Sequence, residues 1–191
     1  MTKRNVLVSV TDKSGLKDFV PLIGLGWNFI STGGTWTALK EIGIPADTVE
    51  DVADFVPILD GRVKTLHPVI HGGILAERDN TTHMAQLKKA GIELIDLVVA
   101  NLYDFKSNPD IEHIDIGGVA LLRGAAKNWK HTTALCDPSD YKGVVGEIQS
   151  QGLVSSRTRH RLATKAWKLT STYDSAIHAV FEQVEKNLGT G

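Results

Sequence analysis

Apolar, β-branched runs alternate with segments of helical spacing along most of the chain. The run "NVLVSV" (5–10) reads as a buried strand, followed by a helix over 14–26. "NFIST" (28–32) is a second strand and "GTWTALKEIG" (34–43) a second helix. A short strand is expected at "ADTVE" (46–50). An irregular section then carries "GRVKTLHP" (61–68) and "HGGILA" (71–76). A polar helix at about 80–91 precedes "IDLVVAN" (95–101), the clearest buried strand. "GGVALLRGAAKN" (117–128) is helical, "HTTALC" (131–136) a strand, and 139–151 a helix. The last 35 or so residues have helical spacing, with a break expected near Thr170-Ser171 and a trailing "GTG" tail.

Strands separated by helices imply an α/β fold with a parallel sheet. Ligands of such sheets sit at the carboxyl ends of the strands, so the loops after residues 10, 32, 101 and 115 are expected to share one crevice. No repeat or interdomain linker is visible, and 1–191 reads as a single domain with 153–187 as a helical extension.

Charge narrows the partners. The net charge is −1, so no global field recruits nucleic acid or a membrane, and any anion site must be local. The basic run "SSRTRHRLATKAWK" (155–168) reads as an exposed helix face. No apolar run approaches membrane-spanning length, and the N-terminal apolar run is too short for a signal peptide. The single cysteine, Cys136, excludes an internal disulfide and reads as a buried strand residue. A cytoplasmic protein is expected.

Candidate chemistry clusters at the strand ends. "STGGT" (31–35) joins a strand to a helix start: Gly33 and Gly34 admit close backbone approach, and the Thr32 and Thr35 hydroxyls add donors for a phosphate. The alternative is a tight turn with an N-cap. "SVTDKSG" (9–15) is a similar junction, with Ser9, Thr11 and Lys13 toward the crevice and Asp12 or Ser14 available as caps. In "GRVKTLHP", Pro68 pushes the preceding residue toward extended geometry. Alternation there puts Arg62 and Lys64 on one side, with Val63 and Thr65 on the other. Two cations on one face suit an anionic substrate; a solvated basic loop is the plainer reading. In "ANLYDF" (100–105), Asn101 and Tyr103 point the same way, toward a polar heterocycle or into core space. "HIDIGG" and "RGAAKN" supply Asp115, Gly117, Gly118, Arg123 and Lys127. Lys127 lies ten residues past Gly117, about 15 Å along a continuous helix, so it shares the crevice only if the helix bends or crosses the mouth. His67 and His71 are four apart, but Pro68 between them and Gly72-Gly73 after them argue against helical geometry. With no third ligand indicated, no metal site is expected.

Taken in order, "SVTDKSG", "STGGT", "DGRVKTLHP", "HGGILA", "NLYDF", "IDIGG" and "AAKN" resemble the IMP cyclohydrolase domain, the N-terminal part of the bifunctional purine biosynthesis protein. The resemblance runs from Val6 to about Ile177, where "LATKAWKLTSTYDSAI" looks like that domain's closing helical segment. It implies a methylglyoxal-synthase-like three-layer fold with a mostly parallel sheet, working as a homodimer. The implied reaction closes the ring of 5-formamidoimidazole-4-carboxamide ribonucleotide (FAICAR) to inosine monophosphate (IMP). This is a hydrolase run in its cyclising direction, with no cofactor or metal. By motif match, Lys64 and Tyr103 face the formyl oxygen, while Asp115 and Lys127 handle the amide proton and the departing hydroxyl. Thr11, Lys13, Thr32, Gly33, Gly34, Thr35, Arg62, Thr65, Asn101 and Ile114 match the nucleotide-binding segments; Ser9, Asp12, Val63 and Gly117 complete the expected substrate-binding set.

The sequence departs from the family pattern in three ways. Asp104 stands where the family has a proline, the stretch from Phe105 to Ile111 is short, and no transformylase domain is expected in the 191 residues. Two alternatives share the fold. Methylglyoxal synthase would not need Lys64, Tyr103 and Lys127 together. A regulatory nucleotide-binding module would keep "STGGT" but need neither "RVKTLHP" nor "IDIGG…AAKN".

Overall fold

The structure is a computed structural model that describes residues 3–107 and 109–188; the expected "GTG" tail lies outside them. Five parallel strands form one sheet: β1 (Arg4–Ser9), β2 (Trp27–Ser31), β3 (Ala46–Thr48), β4 (Leu97–Ala100) and β5 (Thr133–Leu135). Their order is β3-β2-β1-β4-β5. The chain therefore winds outward from β1 to β3, returns, and continues on the other side of β1. The reversal opens a crevice between the carboxyl ends of β1 and β4, where Ser9 pairs with Ala100.

Side chains alternate across the sheet, and both faces are covered. Val6 and Val8 point into one core with Phe19, Leu97, Val99 and Tyr141. Leu7 and Val98 point into the other, with Ile70, Ile74, Leu121 and Leu122. This double burial explains why β1 and β4 read as continuous apolar runs rather than alternating ones. The amino ends of the strands are sealed by the buried Asp96, which accepts from Asn5 N–H (3.0 Å), Arg78 (2.7 Å) and Arg4 (3.2 Å).

Eight helices surround the sheet among the described residues: α1 (Val20–Gly24), α2 (Gly33–Glu41), α3 (Val49–Ala53), α4 (Pro68–Leu75), α5 (Thr81–Ala90), α6 (Gly117–Lys127), α7 (Tyr141–Gln151) and α8 (Ser156–Leu188). Four differ from expectation for local reasons. The helix expected over 14–26 is a 3-10 turn, Leu16–Phe19, and then α1, which restarts with Pro21 in its first turn. Residues 49 and 50 leave the third strand because the Thr48 hydroxyl accepts from Asp51 N–H (3.0 Å) and caps α3.

The stretch around 68–75 is helical, not irregular. Pro68 takes the first helical position, where a missing N–H costs nothing, and His67 is extended (φ −128°, ψ 140°) as the cap, its Nδ1 accepting from Val69 N–H (3.3 Å). His67 and His71 thus do stand one turn apart on a helix boundary; burial lowers the basicity of His71. Finally, α8 runs unbroken through Thr170-Ser171: its face there is packed, with Ala166, Thr170 and Tyr173 all buried, and the Thr170 hydroxyl is satisfied within the helix by donating to Trp167 C=O (3.2 Å). The basic run on α8 is only partly a solvated face: Arg161 and Lys165 both reach Asp140, and Lys165 also reaches Asp137. The Lys165 contact, then Ser139, pulls the Asp137 carboxyl down to about 2.

Cys136 lies just past β5 and is buried, which pushes its thiol up to about 11. No helix among the described residues is long and apolar enough to cross a membrane.

Candidate active site

A cavity of about 930 Å³ opens at the β1–β4 reversal. The loops after β1, β2 and β4, the 60–66 turn and the amino end of α6 all line it. The loops expected to share one crevice therefore do so.

The phosphate-type loop begins where β2 ends. Thr32 is extended (φ −118°, ψ 141°) and Gly33 turns left-handed (φ +40°), a conformation that a side chain would strain. Thr35 and Trp36 N–H both bond Thr32 C=O (3.0 and 3.2 Å), which leaves the N–H groups of Gly33 and Gly34, two cavity-lining residues, as the helix-end donors without a helical carbonyl. Ser9 and Thr32 hydroxyls meet at 3.2 Å across the β1–β2 gap. Thr35 lines the cavity, but its hydroxyl is committed: it donates to Val10 C=O (2.9 Å) and accepts from Val10 N–H (3.2 Å). It ties α2 to β1 rather than serving as a free donor.

Asn101 is committed in the same way. Its Oδ1 accepts from Thr11 N–H (2.6 Å) and Asp12 N–H (3.1 Å), and its Nδ2 donates to Asp12 C=O (2.8 Å). It lines the cavity as the clamp on the first loop, and its amide faces protein backbone rather than open space. Asn101→Ala leaves three backbone groups without partners, and is expected to destabilise the fold by about 1–3 kcal/mol, read from the urea midpoint. Asp12 faces away from the large cavity and bonds Ser14 N–H and hydroxyl (2.9 Å each), which holds its carboxyl below the usual range. Asp12 neither lines the large cavity nor caps the next helix, whose N-cap is Gly15 without a side-chain bond; it closes a local turn on Ser14. Lys13 lines the cavity and donates to Thr11 C=O (3.3 Å).

The 61–68 stretch is a turn at its start rather than an extended ribbon. A 3-10 turn (Leu59–Gly61) leads into Arg62, which is in the helical region (φ −63°, ψ −26°). Ile58 and Val63 pair through their backbones, and Val63 lies outside the cavity lining. Arg62, Lys64 and Thr65 all line it, so the side-by-side alternation expected of an extended strand does not apply. The Lys64 side chain passes over two glycines. A Cβ on Gly61 would meet its Cε at 2.9 Å, and one on Gly33 would stand 3.6 Å from its Nζ. The ammonium is thus held beside the phosphate-type loop. Arg62 pairs with Glu112 at the mouth, a contact that sequence reasoning missed because nothing in "IEHID" marks it.

Asp115 stands at the entry to α6. Its carboxylate accepts from Gly118 N–H (2.6 Å) and fills the place a Cβ at Gly118 would need (2.7 Å). Burial raises its pKa above the ordinary carboxylate value, against the lowering effect of the Gly118 bond. Gly117 is similarly crowded, with Thr65 Oγ1 2.7 Å from where its Cβ would sit. Ile114, Gly117 and Tyr103 also line the cavity; Tyr103 is exposed and edge-on to His113 at 6.0 Å. Asp104, in the family's proline position, closes a turn by bonding Ser107 N–H (3.3 Å) and hydroxyl (2.5 Å).

Besides Asp12 and Val63 of the expected binding set, Lys127 is the expected catalytic residue that is not brought in. It is exposed at the far end of α6, and its neighbour Asn128 bonds Ile74 and Ala76 carbonyls near the amino end of the sheet. α6 neither bends back nor crosses the mouth.

With this geometry, the likeness to known proteins is specific. The family model described as "MGS-like domain" matches residues 19–128, and that described as "AICARFT/IMPCHase bienzyme" matches 125–190. The chain is 49% identical to the bifunctional purine biosynthesis protein PurH of Staphylococcus carnosus, over 98% of this chain and 40% of the relative. It is 50% identical to PurH of Streptococcus pyogenes serotype M2, over 95% of this chain and 37% of the relative. It thus spans well under half the length of these relatives. A solved structure titled "Crystal structure of ForH" superposes with a TM-score of 0.86 at 33% identity, covering 94% of this chain and all of that one. The chain belongs to the MGS-like domain family, and its carboxyl-terminal third matches the AICARFT/IMPCHase bienzyme model.

Proposed function

We propose that the protein is an IMP cyclohydrolase, closing the ring of FAICAR with release of water in purine biosynthesis. The observation that carries this reading is the convergence of Lys64, Tyr103 and Asp115 with the Gly33-Gly34 loop in one cavity. A phosphate-binding module needs the loop; it has no use for a half-buried carboxylate of raised pKa in one cavity with a lysine and a tyrosine.

The carboxamide nitrogen attacks the formyl carbon, forming the C–N bond while the formyl C=O becomes a C–O⁻. One amide proton leaves with the attack. The formamido N–H proton leaves as the C=N bond forms to that nitrogen, and the two protons released are taken up by the former formyl oxygen, which departs as water. Holding the two groups of one molecule in contact supplies much of the rate. The nucleotide phosphate sits at the Gly33-Gly34 turn with Lys13 and Arg62. Lys64 and Tyr103 stabilise the oxygen as it gains charge. Asp115, made more basic by burial, takes the amide proton. No proton step falls to Lys127 from its own chain. The activity belongs to the cyclohydrolase part alone, as a cytoplasmic homodimer, and FAICAR is formed by a separate formyl transfer.

The test is absorbance-monitored conversion of FAICAR to IMP by the purified protein. Metal-free turnover supports the reading. Tight IMP binding without turnover turns it to a regulatory module, and neither binding nor turnover rejects it.

A further inference from the structure

Tyr173 belongs to α8, which contributes no residue to the large cavity. It is 7% exposed, with its ring 6.3 Å from that of Phe105 in edge contact. Its hydroxyl accepts from Asp115 N–H (2.8 Å) and donates to His113 C=O (2.9 Å). Both bonds close on the backbone either side of Ile114, a cavity-lining residue. Packing alone would be met by a phenylalanine, and a buried phenol costs free energy unless it is bonded. Here both bonds go to one three-residue segment, the loop between the Ile111–His113 turn and α6.

We propose that Tyr173 is a positioning residue for the active site: by clamping the 113–115 backbone it sets where the Asp115 carboxylate stands in the cavity. The carboxylate then has two supports, Gly118 N–H from α6 and, through its own backbone, α8. Removing the phenol oxygen leaves the first and frees the second. The carboxylate stays in the site but loses its fixed distance to the reacting amide.

The kinetic consequence rests on the cyclohydrolase reading, so the test has two arms. In Tyr173→Phe, kcat for FAICAR closure is expected to fall about 10–100-fold with KM within about threefold, since the phosphate loop is untouched. The acid limb of the pH–rate profile moves to lower pH, because a loosened Asp115 gains water. Leu162→Ala, buried about three turns earlier on the same helix and lining no part of the site, controls for stability: kcat within about twofold of wild type is expected. The second arm is amide hydrogen exchange over 113–118, which reads the clamp without any substrate; faster exchange at Asp115 is expected in Tyr173→Phe. A Tyr173→Phe kcat within about twofold of wild type overturns the proposal, as does an equal loss in Leu162→Ala. If the wild type fails to close FAICAR, the cyclohydrolase reading falls. The clamp then stands on faster exchange at Asp115 or falls on unchanged exchange.

Discussion

Lys64→Ala should lower kcat for FAICAR closure by about 10²–10³-fold, the loss typical of one charge-stabilising donor in a dry site. Affinity for IMP should fall far less, about tenfold, because Arg62, Lys13 and the Gly33-Gly34 turn remain for the phosphate. Steady-state kinetics beside calorimetric titration with IMP separates the two. The asymmetry matters more than the size. A lysine that only neutralised the phosphate would lose binding and kcat/KM together and leave kcat alone. Such a result would remove Lys64 from the chemistry. Its side chain passes close over Gly61 and Gly33, which puts the ammonium beside the glycine turn.

Asp115→Asn should cost about 10²–10⁴-fold in kcat, the usual range for a positioned base. The amide keeps an oxygen for Gly118 N–H, so the loop is expected to hold its shape. The pH dependence follows from the direction of the shift. Burial raises the Asp115 pKa, so the reactive carboxylate is lost as pH falls through that raised value. The wild-type acid limb should thus lie above the ordinary carboxylate value, and Asp115→Asn should lack it. Stability carries the opposite sign. A carboxyl whose folded pKa exceeds its unfolded one stabilises the fold most below the unfolded pKa, and that contribution is lost as pH rises through the folded pKa. At neutral pH the asparagine should therefore unfold at equal or higher urea concentration than wild type. A variant both less active and no less stable marks a carboxylate kept for chemistry.

The strands and their parallel order of travel were legible because double burial produces unbroken apolar runs, as in Val6–Val8 and Leu97–Val99. The junction loops were legible because glycine and hydroxyl residues follow those runs directly. Hydrogen-bond allegiance was not. Thr35 and Asn101 have the composition of ligand-binding groups, yet each spends its polar atoms on the β1 loop. Sequence spacing reports which residues can meet, and the competition between backbone and ligand for one amide is settled only in three dimensions. α4 was missed for a related reason: Pro68 disfavours helix everywhere except the first turn, and its position within a helix is not visible until the His67 cap is seen. Tyr173 lies 58 residues from Asp115, and no local pattern links them.

The clamp at Asn101 also fixes an order of events during synthesis. Its partner Thr11 is made 90 residues earlier. At about 5–20 residues per second, the first loop waits roughly 5–18 s for the side chain that holds it. Through that interval β1 pairs with β2 on one edge only, because its other neighbour, β4, has yet to be made. An apolar strand with an open edge is a template for pairing with other chains. The central place of β1 in the sheet thus makes the emerging chain most vulnerable to aggregation, and most in need of chaperone cover, until residue 101 leaves the ribosome.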